Sequence, residues 1–126
     1  MGILDRDVGI SVLKGKIIQL ITVNRDKDEI IFEISPKEKY KMHHEQDCCE
    51  NVAIEDICGD LEWLIDEPIL KADERSNRED PSDEYESVTW TFYELATIKG
   101  SVTIRWCGSS NGYYSEEVSF EKIEIK

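Results

Sequence analysis

The sequence predicts an α+β fold, a curved and mainly antiparallel β-sheet carrying one short α-helix. Three observations predict it. Runs of branched and aromatic residues alternate with polar ones along most of the chain, which is the period of half-buried strands. Polar clusters rich in Gly, Ser, Asn and Asp separate these runs. Only one segment, residues 60–65 (DLEWLI), sets Leu61, Leu64 and Ile65 at one-turn spacing. With 126 residues, 40% of them hydrophobic and 34% charged, the chain reads as a single domain, residues 1–126.

Residues 16–24 (KIIQLITVN) and 29–34 (EIIFEI) read as a hairpin about the turn Arg25-Asp26-Lys27-Asp28. Pro36 ends the second strand, because proline has no donor for a ladder. Residues 38–45 form a third strand with Tyr40, Met42 and His44 on one face and Lys39, Lys41 and His43 on the other. Residues 51–57 read as a short strand through Val52 and Ile54. The short helix follows, with Asp60 placed to cap it and Pro68 beyond its end. Residues 69–72 add a further short strand. Residues 73–85 (DERSNREDPSDEY) hold no apolar side chain before Tyr85, which predicts an acidic mobile loop.

Residues 87–98 and 102–106 are read as a hairpin closed by Lys99-Gly100-Ser101. Pairing Ile98 with Val102 gathers Trp90, Phe92, Ile98, Val102, Ile104 and Trp106 on one face. A two-residue turn would divide those apolar residues between both faces, so the longer loop is preferred. The turn GSSNG (residues 108–112) and a last strand, residues 114–125, complete the sheet.

The net charge of −13 excludes several function classes. A surface this acidic repels phosphate backbones, so direct nucleic-acid binding is not expected. No run of about 18 apolar residues predicts a membrane span, and residues 1–11 lack the apolar core of a signal peptide. The four cysteines, Cys48, Cys49, Cys58 and Cys107, read as reduced thiols of a cytosolic protein.

Residues 43–61 (HHEQDCCENVAIEDICGDL) concentrate two histidines, three cysteines and six carboxylates, and are the first candidate for a site. The segments HEQDCCE (44–50), IEDI (54–57), GDL (59–61), PIL (68–70), TWTFY (89–93), ATIKG (96–100), RW (105–106) and SNGYYS (110–115) resemble a family of small proteins encoded by phages and prophages of Gram-positive bacteria. That family carries no assigned activity. The chain departs from its pattern at Asp66, where a glycine usually closes the helix, and in the length of the acidic loop. The resemblance implies a viral accessory protein in the cytoplasm of an infected bacterial host.

The residues themselves weigh against catalysis. Structural zinc needs ligand pairs of the C-x₂₋₄-C kind, whereas here His43/His44 and Cys48/Cys49 are adjacent and diverge, so no metal site is expected. Glu45, Asp47 and Glu50 oppose ionisation of a Cys48 nucleophile that His44 would activate. No catalytic residue and no cofactor are therefore assigned. The aromatic set says more: Trp90, Tyr113 and Tyr114 with Arg105 and Asn111 suit a base or sugar-phosphate, and His44, Gln46 and Asp47 are expected to line the same pocket. The leading expectation is a non-enzymatic anti-defence protein that sequesters a small nucleotide-derived signal, as a homo-oligomer. The alternatives are an acidic decoy docking on a host nucleic-acid-binding or defence protein, and a small hydrolase using Cys and His or a metal.

Overall fold

Alternating burial along most of the strands builds two sheets rather than one. The computed structural model describes residues 8–45, 49–79, 87–110 and 115–124. Its strands are β1 (Leu20–Val23), β2 (Glu29–Ser35), β3 (Glu38–His43), β4 (Asn51–Cys58), β5 (Lys71–Glu79), β6 (Ser87–Thr97), β7 (Gly100–Ser110) and β8 (Ser119–Lys122). One sheet has the order β1-β2-β3-β8 and the other β4-β7-β6-β5, with every strand pairing antiparallel.

The two sheets share one core. Ile30, Phe32, Tyr40, Met42 and Phe120 come from the first; Tyr93, Leu95, Val102, Ile104 and Trp106 from the second. Phe120 stacks on Tyr40 at 5.4 Å between ring centroids and meets Phe32 edge-on at 5.8 Å. The Trp106 indole N–H donates to Met42 Sδ at 3.2 Å, joining the sheets through their centre.

The expected α-helix is absent among the described residues, and the fold is all-β. Leu61–Leu64 is a single 3-10 turn. Asp60 does cap it, accepting from the Glu62 N–H at 2.9 Å. The turn ends because Ile65 returns to extended backbone and bridges Ile18, after which Asp66 takes a positive φ of 67°. Four residues form too few hydrogen bonds to propagate a helix.

The β6–β7 hairpin also differs from expectation. Thr97 pairs with Gly100, so the connection is the two-residue loop Ile98-Lys99. This odd shift in register turns β6 over. Tyr93 and Leu95 face inward opposite Ile104 and Val102, while Trp90 and Phe92 face outward and Ile98 is 73% exposed. The 3-10 turn explains the choice. The Trp63 ring packs against Gly100, where a Cβ would fall 2.7 Å from it, and Thr97 Oγ1 donates to the Trp63 carbonyl while accepting from the Lys99 N–H. Outward placement of the two rings is tolerated because guanidinium groups cover them. Arg105 sits over Trp90 at 5.1 Å and Arg75 over Phe92 at 5.3 Å.

Residues 73–79, expected in a mobile loop, belong to β5 and pair in register with Glu94 down to Val88. This strand needs no apolar run: beyond Ala72 its inward side borders a groove instead of the core. The rest of the expected loop, residues 80–85, lies outside the described residues.

Candidate functional site

Two buried carboxylates organise one end of the sandwich. Ser87 and Ser110 are register partners where β6 begins and β7 ends, and Thr89 lies one inward position further along β6. Their three hydroxyls donate to the Glu116 carboxylate, Thr89 at 2.6 Å. Gly108 makes room for this residue, since a Cβ there would stand 3.0 Å from both Glu116 Cβ and the Glu116 carbonyl oxygen. Burial alone would raise the Glu116 pKa. The three hydroxyl donors and the positive charge of Arg78 outweigh that effect and hold the carboxyl below its usual range.

His44 forms the second buried centre. Its Nε2 lies 2.7 Å from Glu50 Oε2, and its Nδ1 lies 2.7 Å from the Glu117 carbonyl oxygen. The side chains of His44 and Glu50 are 3% and 0% exposed. A carbonyl only accepts, so Nδ1 carries a proton. The Nε2–Glu50 contact must then hold a second proton, on the imidazole or on the carboxyl. With both ring nitrogens engaged and enclosed, His44 ties β3 to the chain entering β4 and to the segment before β8. It is not presented to solvent as a general base.

A groove of about 270 Å³ opens beside these centres. Glu74 and Ser76 of β5 and Thr89 and Thr91 of β6 form one side; Glu117, Val118 and Phe120 form the other. Arg78 stands opposite Thr89 in the β5–β6 register, where its charge acts on Glu116. Hydroxyls and carboxylates can bind hydroxyl and amino groups, while Val118 and Phe120 offer an apolar floor.

The residues expected to form the site do not all meet here. His44 reaches the groove's wall through the Glu117 backbone. Arg105 and Trp90 lie instead on the outward face of the β4-β7-β6-β5 sheet, where Arg105 bonds Asp56 at 2.6 Å. Gln46, Asp47, Asn111, Tyr113 and Tyr114 lie outside the described residues. The described flanks of their two segments do converge: Asn51 pairs with Ser109, and His44 bonds Glu117. Cys49 is disulfide-bonded, which corrects the expectation of four reduced thiols, and Cys58 carries an exposed free thiol.

Sequence reasoning missed Glu116, Glu117 and the hydroxyl row Ser87, Thr89 and Thr91. A signal was present, because SVTWTFY alternates small hydroxyls with large apolar groups, and either set could face inward.

These features define a two-sheet antiparallel β protein with a buried carboxylate–imidazole end beside a small polar groove. Residues 11–120 match the family model described as a domain of unknown function, DUF7448, and the chain belongs to that family. No curated protein and no solved structure matches it. No helix among the described residues is long and apolar enough to cross a membrane.

Proposed function

We propose that this chain is a non-enzymatic binding protein that sequesters a small nucleotide-derived signal in the groove between β5, β6 and residues 117–120. The supporting observation is the groove itself, walled by Glu117 on the backbone that His44 fixes and floored by Phe120. Its volume of about 270 Å³ falls just below the usual range of ligand sites, which favours one nucleoside unit over a dinucleotide. Glu74 and Glu117 suit ribose hydroxyls and base amino groups. The carboxylates of Glu74 and Glu117 would repel a polyphosphate, which favours a nucleoside unit of low charge. Enclosure of both His44 nitrogens argues for a structural imidazole. The setting, a phage accessory protein opposing a bacterial defence, comes from the sequence resemblance.

A thermal-shift screen against cyclic mononucleotides, nucleosides and ADP-ribose derivatives tests this reading, with mass spectrometry of the recovered ligand. The expected result is stabilisation by a compound that returns intact. Ser76→Trp, a change at an exposed groove position, should abolish the shift without lowering the melting temperature of the free protein. Absence of any stabilising compound, or turnover of the ligand, would overturn the reading.

The charge of −13 favours a second reading, an acidic decoy for a basic host protein. Such binding would weaken steeply with added salt and would survive Ser76→Trp.

A further inference from the structure

We propose that His43, Glu45 and Glu121 form a site for a divalent transition ion, Zn²⁺ foremost, on the outward face of the β1-β2-β3-β8 sheet. His43 ends β3, and Glu45 follows it by two residues. On β8, Ser119 pairs with His43, which sets Glu121 on the diagonal. One ligand atom from each of the three residues lies within 4.8 Å of the other two.

The imidazole edge is already close to what an ion requires. His43 Nε2 and Glu121 Oε1 are 3.1 Å apart, and ligands about 2.1 Å from a shared ion sit roughly 3.0–3.4 Å from each other. These two side chains are held in place, at 12% and 16% exposed, whereas Glu45 is exposed and can swing its carboxylate in by a rotamer change. One imidazole and two carboxylates leave the remaining positions to water. This donor set suits Zn²⁺, Co²⁺ or Ni²⁺, while Mg²⁺ and Ca²⁺ prefer oxygen alone. Two neighbouring charges flank the site: Lys41, directly opposite Glu121, competes with an ion, and Glu29, directly opposite His43, adds a carboxylate to the same face. The site is separate from the groove, because Phe120 points inward and Glu121 outward from the same strand. It therefore stands or falls independently of the proposed ligand.

The test is calorimetric titration of the chelator-treated full chain with Zn²⁺ and Co²⁺, together with the absorption spectrum of the Co²⁺ form. The expected result is one ion per chain that excess Mg²⁺ does not displace. Its affinity should fall about tenfold or more in His43→Gln and in Glu121→Gln. Glu45→Gln, at an exposed position that folding does not need, should also weaken it. The Co²⁺ spectrum should lack thiolate charge transfer, and Cys58→Ser should bind as the parent does. Absence of binding, binding that persists in Glu45→Gln and His43→Gln, or a thiolate band would overturn the proposal.

Discussion

Replacing Glu116 by Gln keeps the side chain's size and removes its charge from a buried position, so it isolates the carboxylate's contribution. Three hydroxyls donate to that carboxylate. A hydrogen bond to a charged group contributes about 1.5–3 kcal/mol, and a neutral one about 0.5–1.5 kcal/mol. Losing the charge at three bonds therefore costs about 3 kcal/mol, partly offset because a neutral amide is easier to bury. The net expectation is a loss of about 1–3 kcal/mol near neutral pH. The sign with pH follows from the lowered pKa of Glu116. Its stabilisation is fully present above the ordinary glutamate value and is lost as pH falls through the lower value of the folded state. Urea unfolding of both proteins, at about pH 7 and again at about pH 3, should show a gap that narrows in acid. Contributions shared with the other carboxylates cancel in the comparison. An equally stable Glu116→Gln protein at neutral pH, or a gap that does not change with pH, would refute the reasoning.

Four further outcomes are expected. Gly108→Ala places a methyl 3.0 Å from Glu116 and Val52, and should cost about 1–3 kcal/mol by urea unfolding through overpacking. His44→Ala removes both 2.7 Å contacts from an enclosed position, and should cost about 3 kcal/mol with increased amide exchange at Glu50 and Glu117. Arg105→Ala loses only a half-exposed ion pair and a guanidinium–indole contact, so its cost should be about 1 kcal/mol and should shrink in high salt. Gly100→Ala, with φ of 155° and Trp63 against it, should destabilise the β6–β7 hairpin and raise Trp63 solvent exposure, read by fluorescence quenching.

Much of the strand content was legible because period-2 alternation marks a half-buried strand directly. Tyr40 and Met42 in β3, and Val52 and Ile54 in β4, face inward as their spacing predicts. The β6 register was not legible. Trp90 and Phe92 looked like core by hydrophobicity, but the choice of face depended on Trp63 closing over Gly100 and on arginines covering the rings, which are contacts distant in sequence. The helix failed for a related reason. Leu61, Leu64 and Ile65 have helical spacing, yet the strand-like bridge of Ile18 to Ile65 takes the chain out after one turn. At the site, His44 was legible as an unusual residue in an inward phase. Glu116 was hidden among 28 acidic residues, and only tertiary placement against Ser87, Thr89 and Ser110 sets it apart.

The proposed function places a small ligand in the groove beside His44 and Glu116. Backbone amide shift mapping by NMR, with the best compound from the nucleotide screen, tests it most directly. The largest shifts are expected at Ser76, Thr89, Thr91, Val118 and Phe120, with Trp90 and Arg105 nearly unmoved. Shifts centred on Trp90, Phe92 and Arg105, with those groove residues silent, would contradict it and move binding to the opposite face of the sheet.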